Sequence, residues 1–166
     1  MAPGEKNFVL VTVTGMARDQ RDNPVVLLKS SEGEEVLPIW IGHAEGVAIQ
    51  LSISGEKFER PLTHDLLKLA IESLGATLAK VAITDLANNT FFAKLYLQRD
   101  AELIVIDARP SDSVALALRF GAPIYVARDV FTAHKRSLES GSAPGPETDP
   151  EDEIRRYLRD LDPGEF

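Results

Sequence analysis

Between Ile106 and Ser113 the chain reads Ile-Asp-Ala-Arg-Pro-Ser-Asp-Ser, an acid, an arginine and a helix start crowded into one strand exit. Pro110 keeps Arg109 out of helical geometry, so the extended run Ala101 to Asp107 must turn there and restart as a helix. Ser111 is the expected N-cap, with Asp112 in the first turn, where the helix dipole favours negative charge. Asp107 and Arg109, two apart on an extended segment, are expected on the same side of the strand end. An earlier stretch, Arg60-Pro61-Leu62-Thr63-His64-Asp65, repeats this grammar ahead of the apolar helical run Leu66 to Leu74, with Thr63 as the cap. Each start combines a cation, free backbone amides and a carboxylate, the parts that hold an anion such as phosphate. Plain helix capping is the alternative for both. If one site uses both starts, they must converge in one cleft.

The side chains sort by the chemistry they could do. His64 beside Asp65 is an acid/base pair, since histidine exchanges protons near neutral pH. Asp107 and Asp112 are further candidate catalytic carboxylates. Arg60, Arg109 and Arg119, with Thr63 and Ser111, could hold a phosphodiester and its transition-state charge. The competing role for the arginines is internal ion pairing with Asp65, Asp107 or Asp112. No His-Glu-x-x-His, paired Asp-x-Asp or EF-hand spacing is present, so no carboxylate stands in a spacing specific for metal. His43 is a second candidate histidine, and His134 is expected at the surface. Trp40 could stack on a base, but its apolar strand favours a core position. Walker loop, dinucleotide fingerprint, serine nucleophile elbow and zinc finger are all absent from the sequence.

Four blocks carry a resemblance. They are Leu37-Pro-Ile-Trp-Ile-Gly-His-Ala-Glu-Gly-Val-Ala-Ile49, Arg60-Pro-Leu-Thr-His-Asp-Leu66, Asp107-Ala-Arg-Pro-Ser-Asp-Ser-Val-Ala-Leu-Ala-Leu-Arg119 and Pro123-Ile-Tyr-Val126. In this order and spacing they resemble the bifunctional nuclease family over roughly Phe8 to Val130. The resemblance implies hydrolysis of phosphodiester bonds in both RNA and DNA, assisted by Mg2+ or Mn2+, for which Glu45, Asp65 and Asp112 are the candidate ligands, and without an organic cofactor. It supports the position of His64 and favours Glu45 over His43. A non-catalytic regulatory module, binding a nucleotide, phosphate or protein partner through the same helix starts, is the rival reading.

Charge bears on these choices. The whole chain carries a net charge of -8, but residues from Glu139 onward hold nine acids and three arginines, leaving 17 acids and 15 basic residues before them. The domain proper is thus nearly neutral and lacks a basic stripe, so a single-stranded or short nucleic acid fits better than tight duplex binding. There is no cysteine, hence no thiol chemistry, disulfide or Cys-ligated zinc. The first residues do not read as a signal peptide and no apolar run approaches bilayer length, so a cytoplasmic, membrane-free protein is expected.

To position these residues the pattern predicts strands at Phe8–Met16, Val25–Lys29, Val36–Ile41, Leu78–Asp85, Thr90–Gln98, Ala101–Asp107 and Pro123–Ala127. Helices are expected at His43–Ser54, Thr63–Leu74 and Ser111–Phe120, with glycines after the last two. This order is α+β: a mixed, largely antiparallel sheet with helices packed on one face or end. Residues 1–138 form the domain; 139–166 read as a flexible acidic linker followed by a short amphipathic helix at Asp152 to Leu161. That helix, or a sheet edge, is expected to make the chain a homo-oligomer, most simply a dimer.

Overall fold

The computed structural model describes residues 7–137. In chain order these form β1 (Phe8–Arg18), β2 (Pro24–Ser30), β3 (Glu35–Trp40), α1 (His43–Ser54), α2 (Thr63–Ser73), β4 (Thr77–Ala87), β5 (Thr90–Arg99), β6 (Glu102–Ala108), α3 (Pro110–Phe120), β7 (Ile124–Ala127), α4 (Arg128–His134) and β8 (Arg136–Ser137). One sheet of order β6-β5-β4-β7-β1-β2-β3-β8 results. All of its pairings are antiparallel except β4 with β7. The mixed, mainly antiparallel α+β architecture expected from the sequence is the one observed.

The turns follow from residue chemistry. Asp19 opens the β1–β2 turn: its Oδ1 accepts the backbone N–H of Arg21 and of Asn23, each at 2.9 Å. Its Oδ2 accepts the Asn23 amide and the Trp40 indole N–H, each at 3.0 Å. These bonds outweigh the cost of burying the carboxyl, which sits below its ordinary pKa. They also settle Trp40, whose polar edge is tied inward to Asp19 while its ring packs on Val25, Leu27 and Val36, so it serves the core. Asn88 and Asn89 both adopt positive φ, the backbone that a tight hairpin between β4 and β5 requires and that asparagine tolerates.

Strand alternation sends Val9 and Val11, Val26 and Leu28, Leu37 and Ile39, Val81 and Ile83, and Leu95 and Leu97 into one core, closed by Ile49 of α1, Ile71 of α2, Val114 to Ala117 of α3 and Phe131 of α4. Helix α3 is the hub, lying against α1, α2, β4 and β5. Its small residues Ala115 and Ala117 are fully buried, which lets neighbours approach from both sides. Gly46 does the same for α1: a Cβ there would meet the Pro24 ring at 3.0–3.1 Å, so the helix rests directly on β2.

Three expectations need correction. The caps shift by one or two residues: Arg109 is the N-cap of α3 with Pro110 at its first position, and Leu62 is the N-cap of α2. Proline's fixed φ suits the first helical turn, so the helix begins at Pro110 and carries Ser111 inside, where it is buried. Thr63 is likewise a first-turn residue, exposed and not a cap. Second, α4 and β8 were not anticipated; α4 spans 7 residues, too few for a clear period. Third, His134 is half-buried, its ring edge-on to Phe91 at 6.1 Å, and burial together with Arg136 lowers its pKa. The expected helix at Asp152 to Leu161, its linker and the boundary after residue 138 lie outside the described residues.

The seat of α1 gives a direct check. Gly46→Val puts branched carbons against Pro24 and should cost about 1–3 kcal/mol of unfolding free energy by overpacking, read as a lower urea midpoint with an unchanged slope. A midpoint at or above that of the parent would show that α1 does not sit this close to β2.

Candidate functional site

The three helices α1, α2 and α3 meet along two lines of charge. In the first, Arg109 at the start of α3 donates from Nε to Asp112 Oδ2 at 2.8 Å and from Nη2 to Glu45 Oε1 of α1, also at 2.8 Å. The other carboxylate oxygen of Asp112 lies 2.9 Å from His64 Nε2 of α2. In the second line, Arg119 of α3 donates from Nε to Asp65 Oδ1 of α2 at 2.7 Å. Its Nη1 reaches the carbonyl of Ala115 at 2.9 Å and its Nη2 the carbonyl of Ala48 in α1 at 3.2 Å. The two helix starts singled out in the sequence therefore do meet, 48 residues apart at His64 and Asp112.

Local sequence explains each placement. Asp65 stands at the third position of α2, where its Oδ2 accepts the free N–H of the cap residue Leu62 at 3.0 Å, leaving Oδ1 for Arg119. Asp112 is in the first turn of α3 on the side facing α2, and Arg109, three residues earlier, is its natural partner. Glu45 folds back over Gly42, the cap of α1; a Cβ at residue 42 would overlap Glu45 Oε2, so that end of the carboxylate would have to shift.

The electrostatics follow from this geometry. Burial pushes the Asp112 carboxyl up, but hydrogen bonds from Arg109 and His64 outweigh it and hold the group below the ordinary aspartate range. Asp65 is held low chiefly by Arg119, against desolvation, with help from the Leu62 amide. Arg109 is raised by its bonds to Asp112 and Glu45 and stays a cation. With its Nε2 proton given to Asp112, His64 has Nδ1 left to accept one; the carboxylate fixes both tautomer and ring orientation. Arg109 is anchored through two N–H groups yet its side chain is 64% exposed, so its remaining donors face solvent. Arg119 is the opposite case, 8% exposed and spent on the interior.

The other nominated residues fall away from this cluster. Asp107 pairs across the ladder with Lys94, on the face of the sheet opposite Leu95 and the helices. Alternation along β6 fixes that side, and the chain bends at Arg109 before the expected pairing with Asp107 can form. Arg60 is exposed in the α1–α2 connector, with no ion pair or hydrogen bond to any described residue. Ser111 is interior and Thr63 points outward. Among the described residues no group of three or more histidines and carboxylates converges with metal-binding geometry. Glu45 and Asp112 are separated by the guanidinium they share, and Asp65 belongs to the other line of charge.

Beside Asp65 and Arg119 lies an open groove of about 210 Å³, walled by Leu51, Phe58, Leu62 and Leu118, with Ser52 and Lys57 on its lining. The Ser52 hydroxyl is buried without a hydrogen-bond partner. Sequence reading passed over this groove; its one signal was an aromatic residue, Phe58, in an otherwise polar connector.

Comparison with known proteins adds the following. A family model described as the bifunctional nuclease domain matches residues 26–139. The chain is 48% identical over 122 residues to "Uncharacterized protein Rv1829" of Mycobacterium tuberculosis, covering 73% of each chain. It is 28% identical over 142 residues to "Bifunctional nuclease 1" of Arabidopsis thaliana, which takes in 81% of this chain and 44% of the plant protein. With "Bifunctional nuclease 2" of Oryza sativa subsp. japonica the identity is 29% over 121 residues, 70% of this chain and 37% of the relative. No helix among the described residues is long and apolar enough to cross a membrane.

Two outcomes follow from the charge lines. Asp65 and Asp112 have lowered folded pKa values, so their contribution to stability is complete above the ordinary aspartate pKa of about 3.9 and is lost as pH falls through the lower folded values. Urea midpoints measured from pH 7 down to pH 2.5 should fall below about pH 4, and the Asp112→Asn chain should show a shallower fall than the parent. Arg119→Met removes the cation from Asp65 and the donor from the Ala48 carbonyl; with Asp65 partly solvated, the cost is set at about 2–3 kcal/mol. Calorimetry finding no loss would remove Arg119 as the tie between the helices.

Proposed function

This chain belongs to the bifunctional nuclease domain family, and from that premise we propose that it hydrolyses phosphodiester bonds of RNA and DNA at the His64–Asp112–Arg109 cluster. The observation that carries the proposal is one carboxylate holding two functional groups at once: Asp112 orients His64 on one oxygen and Arg109 on the other. In this reading His64 Nδ1 takes a proton from water as the water oxygen attacks phosphorus; the bond from phosphorus to the leaving oxygen breaks, the leaving oxygen keeps the electron pair and takes a proton from solvent, and the imidazolium returns its own to solvent. Asp112 stabilises the imidazolium that forms. Arg109, exposed and already fixed, turns its spare N–H groups to the non-bridging phosphate oxygens, where negative charge grows in the transition state. Glu45 keeps the guanidinium from swinging away. The groove next to Asp65 offers Phe58 and Leu118 as apolar surface for a neighbouring base. A water nucleophile does not need a 2′-hydroxyl, which accounts for action on both nucleic acids.

A requirement for Mg2+ or Mn2+ is a separate proposal. The acids as placed fit a hard cation poorly, because Glu45 and Asp112 already share Arg109, and the steps above are written without one. Cation dependence would mean that Arg109 gives up these carboxylates when metal is added.

One observation favours the rival reading, a regulatory module that binds a nucleotide, phosphate or protein partner: every carboxylate of the cluster is paired with a basic side chain, as in a purely structural network.

Cleavage of a labelled single-stranded oligonucleotide separates the two. His64→Ala and Asp112→Asn should each lower the rate at least about tenfold with the fold intact, since acid/base groups contribute about 10² to 10⁴. Arg109→Ala should lower it comparably, with part of the effect in KM. Equal rates in the parent and all three variants, on protein purified by two routes, would leave the binding module standing. Running each reaction with EDTA and with added Mn2+ tests the cation.

A further inference from the structure

The first turns of three helices end at one place. Glu45, Asp65 and Asp112 stand third in α1, α2 and α3, and the turns are joined through Arg109 to Glu45 at 2.8 Å and through His64 to Asp112 at 2.9 Å. The first main-chain bonds of these helices run from Gly46 N–H to the Gly42 carbonyl, from Leu66 N–H to Leu62 and from Ser113 N–H to Arg109, so the amides ahead of them have no carbonyl within their own helix. In α3 those amides belong to Ser111 and Asp112, since Pro110 carries none, and no described residue accepts from either. Two buried serines flank Asp112. Ser113 donates from Oγ to the Arg109 carbonyl at 2.9 Å and pins the turn. The hydroxyl of Ser111, a residue 6% exposed, has no hydrogen bond to any described residue, yet it keeps contact with the surface, unlike the sealed hydroxyl of Ser52. Helical Cα–Cβ bonds tilt toward the helix start, so from the second position of α3 this side chain leans the way the unbonded amides point. A buried donor without an acceptor is costly, and packing alone gives no reason for serine where alanine fills the same space.

We propose that the first turn of α3 is the seat of a phosphate group, with Ser111 Oγ and the amides of Ser111 and Asp112 donating to its oxygens beside the spare N–H groups of Arg109. Every group in that set is a donor, so the ligand must accept only; a hydroxyl, two amides and a planar fork meet a tetrahedral oxyanion with several oxygens better than a flat carboxylate. Charge permits it. The Glu45 and Asp112 carboxylates repel an anion, and set against Arg109 with His64 neutral they leave a formal -1; the positive ends of three helices oppose this with about half a unit each. Asp65 is matched by Arg119. The inference rests on the reading of Arg109 as the phosphate ligand and adds the groups that complete its hold, while the binding itself does not depend on cleavage. Where cleavage follows, the same donors meet the charge that grows on the phosphate oxygens.

Ser111→Ala removes one hydroxyl and little packing, so stability serves as the control. In phosphate-free buffer the variant should unfold at the parental urea midpoint or above it; a lower midpoint would mean that the fold already uses the hydroxyl, and overturns the proposal. Inorganic phosphate, added to the full-length protein at constant ionic strength, should raise the parental midpoint by mass action, whereas acetate should not. Calorimetric titration with phosphate should find Ser111→Ala weaker by about tenfold or more, the worth of a hydrogen bond to a charged group, and Arg109→Ala weaker as well. Affinity kept in Ser111→Ala but lost in Arg109→Ala overturns the seat and leaves Arg109 as the phosphate ligand. Affinity kept in both variants puts phosphate elsewhere and removes the two together. A parent chain indifferent to phosphate, or one that binds acetate equally, also overturns the seat, while the nuclease reading is judged separately by the cleavage rates of His64→Ala and Asp112→Asn.

Discussion

Arg119 is the constraint on which the arrangement of helices depends. A guanidinium is costly to bury unless every direction in which it donates finds an acceptor, and here it finds one on each neighbour: a carboxylate on α2, a carbonyl on α1 and a carbonyl of its own helix. The rigid planar fork fixes distances and angles together. Helix α3, laid against the sheet by Val114 and Leu116, becomes the frame of reference for the other two. The opposition of His64 and Asp112 is a consequence, because α2 is held by Asp65, next in sequence to His64.

Adjacent residues thereby divide the work. Asp65 joins the line that holds the helices through Arg119, and His64 joins the line that ends in an exposed arginine. The two arginines of α3 divide it in the same way. Arg119 lies in the last turn, 8% exposed and with all three nitrogens bonded within the domain; Arg109 lies at the first, 64% exposed, with donors to spare. A site that must hold phosphate needs the second kind of residue, kept in place by the first. Gly42 and Gly46 complete the support from below, one leaving room for Glu45 to fold back and the other letting α1 lie on Pro24.

Much of this was legible in the residues. The strand and helix starts announced themselves through proline, through alternation and through glycine stops at Gly75 and Gly121, both at positive φ. The meeting of the Arg60 and Asp107 segments was readable in outline because both had the same parts. Which parts meet was not readable: Asp107 and Arg60 were equal candidates on paper, and only the pleat of β6 and the path of the connector remove them. Capping was misplaced because Ser111 and Thr63 are better cap residues than Arg109 and Leu62 by propensity, while proline and the Asp65 bond to Leu62 decided the helix start. The leucines of α2 read only as an apolar helical run, since periodicity reports that a helix has two faces and not which one its own domain covers.

The parallel pairing of β7 with β4 has a consequence for how the chain is made. Strand β7 is the seam between β6-β5-β4 and β1-β2-β3-β8, and it bonds to β1, more than a hundred residues earlier. During synthesis β1, β2 and β3 leave the ribosome first and can pair at once, but one edge of β1 stays open until almost the whole domain has emerged. Closure of that seam is the most non-local event in the structure and belongs late in assembly. Until it occurs, Val11 has a partner strand on one side only and Val9 on neither, and the nascent chain carries an unprotected β edge that a trailing copy on the same message could find first.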